Sequence, residues 1–482
     1  MNSRRRHDFL AQYKRNTMES TTKIIFPYDQ SVVKELPLIN KNDVEKILNT
    51  AQHLFNDQSN WLSPFKRIEI LEKAASIMND KSEELIHLAI SEGGKPYKDS
   101  KAEILRAIKG VKLAAEHISQ IKGEQIPMGL TEASVNRIAF TSKEPIGVVV
   151  AVSAFNHPLN LAVHQIATAV AAGCPVIFKP ASSTPLSGLA LADILKEAGL
   201  PDGWLQVVLC DNETAELLVT TDSRVHFFSF IGSAKVGWSL KSKLAPGTRA
   251  ALEHGGAAPV IVESDADFSE MIPDLVKGGF YHAGQVCVSV QKIYVNQEIC
   301  DRFVEQFSEA TNKLIVGNPF DEKTDVGSLI APKEVDRVEE WVNEAIEAGA
   351  KVITGGKRIS DTCFEPTVLL NPSEDSKVST NEIFGPVVCI YPFKNREEAI
   401  KKANALEVHF QAAVFTKNID IALETAKKLN ATAVMINDNT AFRVDWMPFG
   451  GRDSSGLGMG GISYTINDMT REKLMVFKSK SL

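Results

Sequence analysis

Apolar residues recur along this chain in two rhythms. Spaced every three or four positions, they predict helices over "KNDVEKILNTAQHLF", "SPFKRIEILEKAASIMND" and "KAEILRAIKGVKLAAEHISQI". "SVNRIAFTSKEP" mixes apolar and charged residues and reads as an extended ribbon. The unbroken run "IGVVVAVSA", Ile146 to Ala154, predicts a buried strand, and "LNLAVHQIATAVAAG" a helix that stops at Gly173. "PVIFKPA" is a strand and "TPLSGLALADILKEAGLP" a helix; "WLQVVLC", "RVHFFSFIG" and "APVIVES" are further strands with helical segments among them. Apolar strands alternating with helices of this length predict a parallel α/β sheet. A second α/β set begins near Asp265, with "DFSEMIPDLVKGGF", "KIYVN", "ICDRFVEQFSEATNKLI", "EVDRVEEWVNEAIEAGA" and "IDIALETAKKLNATAVMIN". No internal repeat, low-complexity tract or long linker separates the halves, which places a candidate site at their interface.

Length and charge narrow the picture. A chain of 482 residues with 44% hydrophobic content is too long for one core, so two or three domains are expected. A net charge of −7 speaks against a broad nucleic-acid footprint, and no apolar run approaches a membrane span. The start, "MNSRRRHDFLAQYKRNTMES", is basic but lacks the apolar stretch of a secretory signal. It reads as a disordered leader over 1–22, with Met18 an alternative start and a weak transit-like segment the other reading. The six cysteines, Cys174, Cys210, Cys287, Cys300, Cys363 and Cys389, are scattered and form no C-x-x-C pair. That pattern is no disulfide framework and suits a reducing cytoplasm; zinc-type spacing and H-E-x-x-H are absent, so no metal site is expected.

"GLGMGG", Gly456 to Gly461, fits G-x-G-x-x-G. A dinucleotide fingerprint must follow a strand and open a helix within a βαβ unit, whereas this one follows "MPFGGRDSS" near the chain's end. It reads as a glycine-rich turn. Other segments place chemistry at strand ends, where ligands gather in parallel sheets. "SAFNHPLN" puts Asn156 just past a strand, and "VIFKPASSTPL" puts Lys179 and Ser182 past another. "FSFIGSAKVG" runs from strand through Gly232-Ser233 into a helix start, where exposed N–H groups suit a phosphate. "ALEHGGAAP" sets Glu253 before a tight glycine pair. In "GGFYHAGQVCVSVQ", Cys287 is on these grounds either a small buried hydrophobe or a nucleophile.

"FNHP", "KPAS", "FIGSAKVG", "EHGG", "GQVC", "EIFGPV" and "PFGG…SGLG", in this order and spacing, resemble the NAD(P)-dependent aldehyde dehydrogenase superfamily from about residue 25 onward. The resemblance implies Cys287 as nucleophile, Asn156 with the Cys287 N–H as oxyanion hole, and Glu253 as the base that activates water. It implies Lys179 as a ribose ligand, Gly232 as a turn glycine giving backbone access, and Ser233 as a pyrophosphate contact. Glu382 would bind the nicotinamide ribose, with Phe384 packed beside it. Many NAD-specific relatives carry glutamate at the Ser182 position; serine does not repel a 2′-phosphate, so NADP or dual use is expected over NAD alone. The other five cysteines stay small buried hydrophobes.

Two departures stand out. Met459, Gly460 and Gly461 replace a common Arg-Glu-Gly, removing a carboxylate that assists proton relay in some members, and His254 stands where leucine is usual. "AFRVDWMPFGG", "GGISYTINDM" and "ALEHGGAAPVIV" resemble a branch with lactaldehyde, phosphonoacetaldehyde and family-21-like members, some of the last linked to succinate semialdehyde. Arg443 is expected to bind an anionic or hydroxylated substrate end, because a guanidinium fork suits carboxylate or phosphonate. Arg106 is a second candidate, and His157 a substrate contact; His164 falls in an apolar helix pattern and reads as core. The expected activity is oxidation of a small polar or anionic aldehyde to its acid through a cysteine thioester. The alternatives are a CoA-acylating semialdehyde dehydrogenase, against which Glu253 argues, a catalytically silent protein keeping the fold, and a Cys–His hydrolase. The expected fold is α/β: a doubly wound cofactor domain (23–126 and 147–254), an α/β catalytic domain (255–446) and a small β bridging element (127–146 and 462–482). A homodimer or homotetramer is the family expectation, with no nucleic-acid or membrane partner.

Overall fold

Val148, Val149, Val150 and Ala151 are all fully buried, and their alternation explains the first unit. Successive side chains of a strand point to opposite faces. Val149 and Ala151 join a core with helices Pro64–Asp80, Tyr97–His117, Pro158–Ala172 and Leu186–Ala198, while Val148 and Val150 join a second core with helix Lys41–Asn56. A strand apolar on both faces needs a helical layer on each side, and this computed structural model, which describes residues 20–220 and 222–482, has that doubly wound arrangement. The sheet runs Gly456–Leu457, Arg249–Glu253, Val225–Ile231, Val148–Val152, Val176–Lys179, Leu205–Val207. All neighbours are parallel except the Gly456–Leu457 strand. The chain leaves the central strand in one direction and returns on its other side, so the crevice past Val152 and Ile231 is a topological switch point, where such sheets bind ligands.

The second unit has a seven-stranded sheet with Pro259–Val262 and Lys292–Asn296 paired at its centre. Its core is separate, built around Ile261, Ile293, Phe303 and Val388. Strand Arg137–Pro145 lies between Gln125–Ile126 and Thr470–Lys478 in an antiparallel ribbon.

Three sequence expectations shift. Residues 1–19 of the expected leader lie outside the described residues, but Thr21 and Thr22 already belong to strand Thr21–Ile25. The bridging segment expected over 462–482 is strand only from Thr470. Before it, helix Ile462–Asp468 buries Ile462 and Ile466, followed by Met469, against the first core, because these apolar residues face the helical layer. Gln125 and Ile126, assigned to the cofactor domain, pair instead with the ribbon.

Two carboxylates anchor the helices that follow strands Val148–Val152 and Val176–Lys179. Glu92 accepts from the N–H groups of Leu186 and Ser187 at the start of helix Leu186–Ala198. Glu103, fully buried, accepts from Leu159 and Asn160 N–H at 3.0 Å each, satisfying orphan donors at the start of helix Pro158–Ala172. Lys95, also buried, pairs with Glu103 and donates to the carbonyl of Asn156 at 2.8 Å.

Candidate active site

That lysine bond is where the fold begins to shape the site. Strand Val148–Val152 ends, the chain turns through Ser153–Asn156, and Pro158 opens the next helix. With its carbonyl held by Lys95, Asn156 turns its side chain inward, where Nδ2 donates to the Gln285 carbonyl at 2.9 Å. Gln285 is itself braced, accepting from Ile330 N–H at 2.9 Å. It stands two residues before Cys287, so Asn156 and Cys287 share one hydrogen-bonded bridge between the two units.

The loop delivering Cys287 is strained. After helix Phe268–Phe280 the chain reverses through His282 and Ala283, at φ 48° and 54°. Left-handed backbone costs an L-residue of order 1 kcal/mol or more and persists only where surroundings impose it. Gly284 follows at φ 70°, and a Cβ there would stand 2.1 Å from the Gly385 carbonyl.

Glu253 ends its strand and is clamped from beyond: Gly456 pairs with it across the sheet edge, and His254 N–H donates to the Ser455 carbonyl at 3.0 Å. A Cβ on Gly255 would fall about 2 Å from the Glu382 carboxylate, so a side chain there would displace that carboxylate from its present place. Glu382 Oε1 is buried without a hydrogen-bond partner, and burial pushes this carboxyl up to about 8, with the Gly256 N–H opposing.

These elements enclose a cavity of about 410 Å³ between the units. Asn156, Glu253 and Cys287 line it, together with Gly232, Ser233, Glu382, Phe384, Arg106, His157 and Arg443. Lys179 and Ser182 are not on its wall. Their loop reaches it only through Ala181; the Lys179 ammonium lies 3.4 Å from the Pro180 carbonyl, and Ser182 is exposed.

Electrostatics divides the side chains. Burial pushes the Cys287 thiol well above its ordinary range, and the Glu253 carboxylate pushes it further; Arg443 opposes. Burial also raises Glu253, with Arg443 again opposing. Arg443 stacks its guanidinium 3.5 Å from the Phe449 ring centre, and its Nε is buried without a hydrogen bond, 3.9 Å from Asp445 Oδ1. Arg106 differs: it forks onto Asp445 with contacts of 2.7 and 3.2 Å, and Asp445 also bonds His164 at 2.8 Å. Burial works against the Asp445 carboxylate, but His164 and Arg106 outweigh it and hold its carboxyl far below the usual range. His164 is thus a core residue with a carboxylate partner, and His157 bonds the Tyr281 hydroxyl at 2.8 Å. No hydrogen bond among the described residues joins either histidine to Cys287. The other five cysteines are buried.

Sequence reasoning passed over Tyr281, Asp445, Gln285 and the Lys95–Glu103 pair. Tyr281 and Asp445 lie inside quoted motifs, and their polarity in an apolar stretch was the available signal. Lys95 and Glu103 carry no such mark.

The model of the aldehyde dehydrogenase family matches residues 13–475. A 3-sulfolactaldehyde dehydrogenase of Priestia aryabhattai is 40% identical over 460 residues, 95% of each chain. The crystal structure of aldehyde dehydrogenase 21 from Physcomitrella patens, in complex with the reaction product succinate, superposes with TM-score 0.92 at 34% identity, covering 96% of this chain and 95% of that one. A glyceraldehyde-3-phosphate dehydrogenase from Methanocaldococcus jannaschii, complexed with NADP, gives TM-score 0.91 at 37% identity over 96% and 99% of the two chains.

Proposed function

This chain belongs to the aldehyde dehydrogenase family, whose NAD(P)-dependent oxidation of aldehydes it shares, and on that premise we propose that Cys287, Asn156 and Glu253 carry the reaction on a small anionic aldehyde. The observation that supports this most is the bridge that sets Asn156 against the Cys287 loop, with Glu253 on the same cavity wall.

The residues suit a bound dinucleotide. The buried, unpartnered Glu382 Oε1 is an acceptor for ribose hydroxyls, and the Gly232-Ser233 turn opens helix Ala234–Lys241 for a phosphate. Phe384 would pack beside the nicotinamide ribose, and Lys179 and Ser182 would meet the adenosine side. A bound NAD(P) supplies the hydride acceptor. Ser182 offers no carboxylate to repel a 2′-phosphate, which favours NADP or dual use.

Cys287 Sγ attacks the carbonyl carbon. Its thiol is held protonated by burial, so the attack needs a proton acceptor, and Glu253, itself raised, is the base beside it. The oxyanion that develops meets the Cys287 N–H and the second Nδ2 hydrogen of Asn156, the first being engaged by Gln285. Once the carbon is at the thioester level and Glu253 has given up the thiol proton, Glu253 takes one from the attacking water; the carbon–sulfur bond breaks to release the acid, and that proton returns to the sulfur.

Arg443 would hold the far end of the substrate. Its guanidinium is buried and lines the cavity; Nε has no hydrogen bond and stands 3.9 Å from Asp445, whereas the Arg106 fork contacts Asp445 directly at 2.7 and 3.2 Å. Three relatives act on, or hold, molecules with a sulfonate, a phosphate or a carboxylate. Tyr281 and His157 add a polar pair that suits a substrate hydroxyl. The ribbon exposes Ile138, Phe140, Leu474, Val476 and Phe477, an apolar strip that suits pairing with a second copy. The free cysteines suit a cytoplasmic setting, and among the described residues no helix is long and apolar enough to cross a membrane.

The deciding experiment is a panel of 3-sulfolactaldehyde, lactaldehyde, glycolaldehyde, succinate semialdehyde and phosphonoacetaldehyde, with NAD and NADP in parallel. Turnover of an anionic member that disappears in Cys287→Ala is expected. Undiminished turnover in that variant would end the proposal.

A further inference from the structure

Glu253 stands in a partition. One side faces the substrate cavity; the other faces a second, smaller cavity of about 40 Å³. Its walls include Gln165, Thr465, Asp468 and the turn Gly458–Gly460. This exceeds the ~10–15 Å³ one water needs. The space is polar enough to hold one: Gln165 Oε1 is buried without a partner, although its Nε2 donates to Ser229 Oγ at 2.9 Å.

Two carboxylates approach the Gly458–Gly460 turn. A Cβ on Gly460 would stand 3.2 Å from Glu253 Oε2, and one on Gly458 would stand 3.6 Å from Asp468 Oδ2. Because both glycines lack side chains, the gap between the acids stays open. Asp468 ends helix Ile462–Asp468 and is half-buried, so its carboxylate touches both the cavity and bulk solvent.

Glu253 takes the thiol proton when Cys287 attacks, and that proton must leave before the same carboxylate can activate water. On hydrolysis the oxygen of water bonds to the thioester carbon, the carbon–sulfur bond breaks, and the proton Glu253 takes from water returns to the departing sulfur. On the substrate side the thioester stands between Glu253 and the way out. We propose that Asp468 receives the thiol-derived proton from Glu253 through water in the second cavity and passes it to solvent, freeing the base for hydrolysis from behind. The inference rests on the assigned role of Glu253. It gives the chain a relay although Met459 and Gly460 supply no carboxylate.

The surrounding charges are compatible with it. Arg249, on the strand of Glu253, faces Asp468 and donates to the Thr470 carbonyl at 3.0 Å. His164, on helix Pro158–Ala172, faces the same cavity but is bonded to Asp445, and burial lowers it to about 4, so it stays neutral. Burial raises the Asp468 carboxyl, with Arg249 opposing. A carboxylate so raised is a better proton acceptor for Glu253.

The test reads acyl-enzyme hydrolysis directly, by rapid quench of acid product after the NAD(P)H burst in the full-length enzyme. Asp468→Asn is expected to slow this step ~10-fold, less than the ~100-fold or more of a group that transfers a proton at the reacting atoms, because Asp468 acts through Glu253, and to enlarge its solvent isotope effect. The burst amplitude counts the correctly folded, acylating sites. Asp468→Glu should recover most of the rate. Hydrolysis within twofold of wild type in Asp468→Asn, or a rate not recovered in Asp468→Glu at equal burst amplitude, would overturn the relay. Glu253→Gln separates the two readings: should it fail to slow hydrolysis at least 100-fold, the assigned base is wrong, whatever Asp468 does.

Discussion

Arg443→Met tests whether the buried guanidinium reads the substrate's charge. At ~5 Å and an effective dielectric of ~20, two unit charges attract by about 3 kcal/mol. Charge-assisted hydrogen bonds lie in the same range, and 3 kcal/mol is ~100-fold in kcat/KM. Arg443 has a second effect. It opposes the rise of both Cys287 and Glu253, so its loss makes each harder to ionise for every substrate. Methionine retains much of the packing on Phe449 while removing charge, which limits collapse of the cavity. The decisive quantity is therefore a ratio: kcat/KM for an anionic aldehyde, such as succinate semialdehyde, over that for a neutral one of similar length, such as butanal. This ratio should fall ~100-fold, while kcat/KM for the neutral aldehyde falls by less. Equal losses on both would refute the anchor and leave Arg443 only an electrostatic neighbour of the reacting groups. Arg106→Met supplies the contrast. Asp445 already neutralises that fork, so its main effect should be a lower thermal midpoint, with the ratio nearly unchanged.

Three further outcomes follow from the same geometry. Glu253 is raised above the ordinary carboxylate value of ~4.3 by burial, so its basic form is lost as pH falls through that elevated pKa; the acid limb of acyl-enzyme hydrolysis should lie above ~4.3 and move higher still in Arg443→Met, as stopped-flow pH profiles would show. An acid limb unmoved by that substitution would exclude their coupling. Lys95→Met leaves Glu103 buried beside the Asn156 loop without its cation, at a cost of about 3–5 kcal/mol; a thermal midpoint within a degree of wild type would disprove that the pair holds the loop. Ser182→Glu should weaken NADP binding at least tenfold relative to NAD by calorimetric titration, and an unchanged preference would remove Ser182 from cofactor selection.

Much of the fold was legible because its strands are apolar on both faces and its helices end on clear signals. Gly173, at φ 86°, caps its helix where the pattern stopped. Helix Ser82–Gly93 was not read: it shares Lys81 with the preceding helix as cap, and no glycine or proline marks the break. The ribbon and the last helix were merged for a similar reason, since Met469 and Thr470 give no breaker between them. The reversal at His282 and Ala283 carries no glycine at either left-handed position, so only tertiary context reveals it.

The candidate site divides along a different line. Asn156 follows a recognisable strand, Glu253 precedes a glycine pair and Cys287 follows a small-residue bend, so their positions could be read locally. What orients them is long-range. Lys95, in a loop, and Glu103, on a helix, look like solvent-facing charges, yet both are fully enclosed, because the helix they serve is delivered more than fifty residues later. The sequence put Arg443 first and Arg106 second as anion anchors, without showing a partner for either. Only the fold sets Asp445, 339 residues from Arg106, across its guanidinium. That placement holds Arg106 in a two-contact fork, while Arg443 meets Asp445 only at 3.9 Å and keeps an Nε without a hydrogen bond. Arg106 shapes the wall, and Arg443 is the less neutralised of the two positive charges that line the cavity. A substrate that brings its own negative end therefore completes the electrostatics of the site, which is the physical ground for expecting an anionic aldehyde.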